Sequence, residues 1–133
     1  MAIILDADVI IRGEKGAFDL QNWVAARPND EFAVAAITIA ELWHGVERGD
    51  GAHKTKRKQY LETILAALPV IPYTEQTARE HARIWAELEG AGTMIGYYDV
   101  MVAATALERG DQVATFNQRH FSLVKRLKTI VPK

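Results

Sequence analysis

The sequence predicts an α/β fold, a three-layer α/β/α sandwich around a mainly parallel β-sheet. Two short apolar runs, at residues 2–5 and 32–37, are typical of strands that are buried on both faces of a parallel sheet. Segments with helical spacing of apolar residues lie between the strand candidates, so strands and helices alternate along the chain. The length of 133 residues is that of one domain, and we expect residues 1–133 to form it.

Later strands are predicted less strongly because their apolar runs are shorter. Residues 70–73 (VIPY), 112–116 (QVATF) and 129–131 (TIV) have the β-branched and aromatic composition of strands. The first two follow helical segments, as expected when a helix connects two parallel strands.

Turn and cap residues delimit the predicted helices of the first half. A helix at residues 19–26 stops before a proline. Thr38 is predicted to cap a helix that ends at Gly49, with Glu41 at the third position after the cap, as in a capping box. A further helix at residues 56–68 places its apolar side chains on one stripe and also ends before a proline.

The second half has two further helix patterns. Thr74 is predicted to cap a long helix that ends at Gly90. Residues 99–108 are apolar nearly all round, which predicts a buried helix. The side chains predicted to face inward from the helix after Thr74 are Ala78, Ala82, Trp85 and Leu88.

Composition and charge exclude several classes of protein. The chain has 16 Lys and Arg against 17 Asp and Glu, so bulk positive charge does not attract it to nucleic acids or membranes. It has no cysteine, which excludes disulfides, zinc–thiolate sites and cysteine nucleophiles. No apolar run approaches the roughly 20 residues of a membrane span, and the first residues lack a basic signal region. We therefore expect a cytoplasmic protein with no membrane partner.

Three acidic residues lie inside otherwise apolar segments that contain no lysine or arginine. Asp6 ends the first strand. Glu41 is the only Asp, Glu, Lys or Arg between residues 31 and 47, and Asp99 is the only one between residues 89 and 108. A carboxylate in apolar surroundings must be hydrogen-bonded, protonated or bound to a cation. Because residues that follow the carboxyl ends of parallel strands share one crevice, we expect the three to lie close together.

Each carboxylate also has a structural interpretation. Asp99 could be the N-cap of its helix, and Glu41 the glutamate of a capping box. Asp6 has no routine structural role at a strand end, whereas Asp8 is predicted to cap the short helix that follows it. Together, these oxygen ligands favour a hard divalent cation, Mg²⁺ or Mn²⁺. Zinc is disfavoured because the four histidines form no HxH or HExxH pattern.

Four segments give the chain a resemblance to PIN-domain ribonucleases, and in detail to the VapC toxins of VapBC toxin–antitoxin pairs. They are ILDADVII at the start, AAITIAELWHG around Glu41, IGYYDVMVAATAL around Asp99 and VATFNQRHF near the end. The resemblance covers almost the full length. It implies a PIN-like fold in which Asp6, Glu41 and Asp99 are catalytic residues and metal ligands.

The last of these segments departs from the family pattern at one position. The family often has a fourth acid where this chain has Asn117, whose amide supplies no charge but can hold a water or a ligand. Thr115 matches the family's threonine, which would hydrogen-bond within the acidic site. The resemblance therefore adds Asn117 and Thr115 to the candidate catalytic residues. Where the family usually has Asn or Ser, this chain has Asp8.

The resemblance implies a metal-dependent endoribonuclease that is the toxin of a type II toxin–antitoxin pair. Mg²⁺ or Mn²⁺ in the carboxylate cluster would bind the RNA phosphate and activate a water for in-line attack. The implied partners are an RNA substrate, a VapB-like antitoxin and a second copy in a homodimer. Tyr97 and Tyr98 adjoin Asp99 and are candidates for stacking on bases, as in proteins that bind single strands.

Two other functions stay open at this point. A hydrophobic strand followed by Asp-x-Asp also fits the first motif of haloacid-dehalogenase-like phosphatases, with Asp6 as nucleophile and Asp8 as acid and base. The chain lacks that family's paired aspartates after a late strand, since Asp99 begins a predicted helix. The missing acid at Asn117 leaves a catalytically weak PIN-like protein that only binds RNA as the second alternative.

Overall fold

The computed structural model covers residues 1–133 and contains one five-stranded sheet. In chain order the strands are β1 (Ala2–Leu5), β2 (Glu31–Ala35), β3 (Val70–Ile71), β4 (Gln112–Ala114) and β5 (Thr129–Ile130). They lie side by side in the order β3-β2-β1-β4-β5, and every neighbouring pair is parallel. All five predicted strands are present, and the sheet is parallel throughout.

Seven helices cover the two faces of this sheet. They are α1 (Ala7–Glu14), α2 (Leu20–Ala25), α3 (Ala36–Arg48), α4 (Gly51–Ala66), α5 (Glu75–Gly90), α6 (Tyr97–Arg109) and α7 (Gln118–Phe121). The core on one face joins Ile4 of β1 to α5, α6 and α7. The core on the other face joins Ile3 and Leu5 to α1, α2, α3 and α4. Successive β1 side chains thus enter opposite cores, which confirms the three-layer sandwich. None of the seven helices combines the length and apolar character that crossing a membrane requires.

The strand order places one crevice at the carboxyl ends of β1 and β4. From β1 the chain continues to β2 on one side, and it later returns to β4 on the other side. The amide of Asp6, just past β1, donates to the carbonyl of Ala114 at the end of β4, at 3.0 Å. In parallel sheets, ligands bind at such a point, where the connections diverge.

The junction between β2 and α3 differs from the prediction. The strand ends at Ala35 and the helix begins at Ala36, so Thr38 lies inside the helix and is fully buried. Ala35 is the N-cap and makes no side-chain hydrogen bond. The predicted Thr38 cap is wrong, and with it the capping-box interpretation of Glu41. The apolar run at residues 32–37 contains no polar residue to mark the boundary, so the sequence shows only the first residue able to cap.

Two other helices begin earlier than predicted. In α6 the N-cap is Gly96, so Asp99 is the third helical residue and the N-cap interpretation of Asp99 is wrong. α4 begins at Gly51, five residues before the predicted start at Lys56. Its first turns are mostly exposed and carry a single small apolar residue, Ala52, which reveals no helical period.

The inward face of α5 also differs from the prediction, although Thr74 caps this helix as expected. Trp85 is 44% exposed, whereas Ile84 is 1% and Leu88 2% exposed. The buried stripe runs through Thr77, Ile84 and Leu88. Leu88 faces inward as predicted, whereas Ala82 and Trp85 are exposed. Both stripes have helical spacing, so periodicity alone could not choose between them.

The difference in burial between Ile84 and Trp85 predicts different losses of stability for two neighbouring substitutions. Ile84→Ala is expected to lower the free energy of unfolding by about 2–5 kcal/mol, because it leaves a cavity in the core. Trp85→Ala, on the exposed side of the same turn, is expected to cost about 1 kcal/mol or less. Urea unfolding followed by circular dichroism measures both changes. A larger loss for Trp85→Ala would contradict the assignment of the buried face.

Candidate metal centre

Asp6 is the most buried of the predicted ligands and is fixed by two hydrogen bonds. It is 5% exposed and lies between β1 and α1, where its Oδ1 accepts from the amide of Ala7 at 2.9 Å. Its Oδ2 accepts from the hydroxyl of Thr115 at 2.8 Å. Burial raises the pKa of Asp6 to about 7, and the charges of Asp8 and Asp99 act in the same direction. The two hydrogen bonds oppose this rise only in part.

Asp8 lies in the first turn of α1 but does not cap it. The N-cap is Asp6, so the predicted cap at Asp8 is wrong. The Asp8 carboxylate instead accepts from the amide of Phe116 at 3.1 Å, which ties α1 to the loop after β4. Burial raises the pKa of Asp8, while this hydrogen bond and the Arg12 guanidinium lower it. Asp8 therefore adds negative charge next to Asp6 and has a structural role of its own.

Glu41 has a carboxylate oxygen without any partner. It is the sixth residue of α3, and its Oε1 is buried without a hydrogen bond. Burial, and after it the nearby charges of Asp99 and Asp8, together raise the pKa of Glu41 to about 7. A buried, unpaired carboxylate oxygen costs free energy unless it is protonated or bound by a cation. Among the predicted ligands, Glu41 is the one with a buried carboxylate oxygen that accepts no hydrogen bond.

Asp99 and Glu41 face the same surface cavity. The cavity has a volume of about 430 Å³ and is lined by Glu41, Gly96, Tyr97, Tyr98 and Asp99. Burial raises the pKa of Asp99, and the neighbouring His120 lowers it. A cavity of about 450 Å³ beside Tyr60 is slightly larger, but none of the clustered carboxylates lines it. Cavity volume therefore does not distinguish the candidate site from the cavity beside Tyr60. The cluster of acidic side chains distinguishes it.

Thr115 and Asn117 follow β4 and adjoin the cluster in different ways. The fully buried hydroxyl of Thr115 donates to Asp6 and accepts from the amide of Asn117 at 2.9 Å. Thr115 thus holds Asp6 in one orientation. The Asn117 side chain pairs with Nδ1 of His120 at 2.9 Å and makes no hydrogen bond to Asp6, Glu41 or Asp99. The structure brings Thr115 to the carboxylates, and it turns Asn117 toward His120.

His120 is a residue at this site that sequence reasoning missed. Its Nδ1 lies 3.7 Å from Oδ2 of Asp99. His120 is a lone histidine on a short helix, so it belongs to neither the HxH nor the HExxH pattern by which histidines at a metal site are recognised in a sequence. The available signal was its position three residues after Asn117, the spacing that brings side chains together on one face of a helix.

The acidic side chains form one electrostatic cluster. Asp6 is influenced by the charges of Asp8 and Asp99, and Glu41 by those of Asp99 and Asp8. The structure thus brings together Asp6, Glu41 and Asp99 from three separate segments. In their present side-chain positions, no three His, Asp or Glu groups are placed to hold a metal ion. The cluster is therefore not a finished coordination shell, as expected for like charges that repel one another.

The donor set nevertheless suits a divalent cation. It consists of carboxylate oxygens, the ligands preferred by Mg²⁺ and Mn²⁺. The unpaired Oε1 of Glu41 is available for a bond, and no lysine or arginine forms an ion pair with Asp6, Glu41 or Asp99. A bound cation would relieve the repulsion and satisfy the orphan oxygen together. Asp6, Glu41 and Asp99 therefore fit a divalent cation.

The chain is similar to known proteins over nearly its whole length. The PIN domain family matches residues 3–127. Ribonuclease VapC10 of Mycobacterium tuberculosis (strain ATCC 25618 / H37Rv) is 31% identical over 127 residues, covering 95% of this chain and 90% of the relative. The tRNA(fMet)-specific endonuclease VapC of Salmonella typhimurium is 33% identical over 95 residues, covering 71% of this chain and 70% of the relative. A chain of the DNA-bound VapBC structure from Salmonella typhimurium superimposes with a TM-score of 0.89 at 26% identity, with 98% of each chain covered.

Proposed function

The chain belongs to the PIN domain family, and on this premise we propose that it is a metal-dependent endoribonuclease, the toxin of a type II toxin–antitoxin pair. The observation that carries this proposal is the cluster of Asp6, Glu41 and Asp99, in which a buried oxygen of Glu41 has no partner. Membership of the PIN domain family rules out the phosphatase alternative. The position of Asp99 agrees with this, because it lies within a helix and not after a late strand, as the phosphatase motif requires. Residues 1–133 act as a single PIN-like domain in this proposal.

Asp6, Glu41 and Asp99 would hold the cation, which we propose to be Mg²⁺ or Mn²⁺. When bound, such an ion supplies a Lewis acid that polarises the phosphoryl oxygen and lowers the pKa of water. Thr115 fixes the carboxylate of Asp6 through the hydrogen bond at 2.8 Å, so this ligand is oriented in advance. Glu41 and Asp99 border the open cavity and present negative charge to its interior.

The net charge of the chain also fits this role. With a formal charge of −1 and an acidic cluster, the chain has no electrostatic attraction for phosphate of its own. The acidic site repels RNA until a cation is bound, so metal and substrate binding are coupled. Asn117 and His120 pair with each other beside Asp99, and in our proposal they contact the RNA next to the scissile phosphate.

The names of the relatives suggest the partners. The Salmonella structure is of DNA-bound VapBC, and a similar structure from nontypeable Haemophilus influenzae is of VapBC-1. A VapB-like antitoxin is therefore the protein partner in our proposal, with RNA as substrate and a homodimer as the assembly. A toxin that cleaves cellular RNA acts where that RNA is, so the proposal includes a cytoplasmic location.

Metal removal tests the proposal directly. The purified chain is expected to cleave total bacterial RNA in Mn²⁺ or Mg²⁺, and chelation by EDTA is expected to stop cleavage because the carboxylates alone repel phosphate. Adding the metal back should restore the activity. Gel electrophoresis of the RNA measures the result, and sequencing of the fragments identifies the cut site. Cleavage that continues in EDTA, or no cleavage with either metal, would count against the proposal.

A further inference from the structure

Tyr97 and Tyr98 form an exposed aromatic pair at the rim of the acidic cavity. They are the first two residues of α6, directly before Asp99, and both line the cavity of about 430 Å³. Tyr97 is 68% and Tyr98 53% exposed. Adjacent exposed aromatic side chains at the edge of a cavity form an apolar patch, and such patches are typical of ligand-binding grooves.

Other exposed aromatic residues of the chain have intramolecular partners, and this pair has none. Tyr73 donates to or accepts from Nδ1 of His81 at 2.7 Å, and His81 stacks on Trp85 with ring centroids 5.9 Å apart. Neither Tyr97 nor Tyr98 makes an aromatic contact, a cation–π contact or a side-chain hydrogen bond. Packing within the chain therefore does not explain this pair.

The charge of the cavity determines what these rings can bind. Asp6, Asp8, Glu41 and Asp99 give the cavity negative charge, which disfavours phosphates near it except at the cation itself. A contact that does not depend on phosphate is therefore favoured at the rim of this cavity. Stacking on an aromatic ring supplies about 1–3 kcal/mol per base and needs no positive charge, because every base has a π-face.

We propose that Tyr97 and Tyr98 are a stacking platform that binds the unpaired bases flanking the scissile phosphate, a role that rests on the proposed function. Successive helical residues point roughly 100° apart, so the two rings can meet two different bases. A base in a duplex has both faces covered by its neighbours, so the platform selects single-stranded RNA over double-stranded RNA. Tyr97 and Tyr98 are thus positioning residues for the substrate.

Binding by two oligomers of equal charge tests the platform. One is a single-stranded RNA of about ten nucleotides, and the other has the same length and phosphates but abasic sugars. Fluorescence anisotropy in Ca²⁺ gives each Kd, and a gel confirms that the oligomers stay intact. The unmodified protein is expected to bind the base-bearing oligomer about tenfold more tightly than the abasic one. Equal binding of the two, or binding of neither, would overturn the proposal.

Variants then locate this preference in the two rings. The double variant Tyr97→Ala/Tyr98→Ala is expected to lose the preference, and Tyr97→Phe/Tyr98→Phe to retain it. Alanine is a good helix former, so the first turn of α6 should survive, which circular dichroism verifies. Tyr73→Ala is the matched control, an exposed tyrosine away from the cavity at 42% exposure, and should keep the preference. If the double alanine variant keeps it, the rings are not the platform.

Cleavage kinetics separate this proposal from the proposed function. The double alanine variant should raise KM about tenfold and leave kcat nearly unchanged, because the rings act on substrate binding. An equal fall in kcat would contradict a positioning role. If the unmodified protein cleaves no RNA with any metal, the proposed function fails, whereas normal cleavage with an unchanged KM in the variant refutes the platform alone.

Discussion

Asp6→Asn is expected to lower the rate of RNA cleavage by about 10²–10³-fold and to leave the fold intact. Asparagine can still accept from the amide of Ala7, since it is as good an N-cap as aspartate, and it can still pair with Thr115. What the variant loses is the negative charge that holds a cation at the end of β1. Initial cleavage rates in Mn²⁺ measure the loss, and circular dichroism verifies the fold.

Asp19→Asn is the matched control for this prediction. Asp19 is also an N-cap, that of α2, and its Oδ1 accepts from the amide of Asn22 at 3.1 Å, but it lies outside the acidic cluster. The same chemical change there should leave the cleavage rate within about twofold. If both variants keep full activity, Asp6 does not serve as a ligand. If both variants lose activity equally, the loss comes from weakened N-caps and not from a change at the metal site.

The candidate site could be predicted from the sequence because its carboxylates lie within apolar segments, where charged residues are uncommon. Asp6, Glu41 and Asp99 each interrupt an apolar segment without a basic neighbour, and this contrast is visible in the sequence. The parallel sheet then requires Asp6 to lie at the carboxyl edge. The resemblance to the PIN domain ribonucleases supplied the correspondence among the three, and the family match bears out that resemblance.

The parts that the sequence did not reveal depend on side-chain direction and on tertiary contacts. Whether Glu41 was a cap or a buried acid depended on where α3 begins, and the apolar run before it contains no marker of that point. The sequence around Asp8 suggests only a local cap, because the partner of Asp8, the amide of Phe116, lies 108 positions further along the chain. His120 reaches Asp99 only because α7 packs beside α6.

The metal-free protein is expected to become less stable as the pH rises from about 4 to about 8. The pKa values of Asp6 and Glu41 are raised from 3.8 and 4.5 to about 7 in the folded state, mainly by burial. Between these values the unfolded chain has released protons that the folded chain still holds, so rising pH favours unfolding. Asp6, which is 5% exposed, contributes a loss of about 4 kcal/mol.

Urea unfolding across this pH range, with and without Mn²⁺, distinguishes a metal site from an ordinary buried acid. In the double variant Asp6→Asn/Glu41→Gln, the free energy of unfolding should fall less with rising pH than in the parent. At pH 8 in EDTA this variant should be more stable than the parent. Asp19→Asn should show the same pH dependence as the parent. Mn²⁺ should stabilise the parent more at pH 8 than at pH 5, because protons compete with the cation for the same oxygens. If Mn²⁺ stabilises parent and double variant equally, the ion binds elsewhere, and the raised pKa values reflect burial without a metal site.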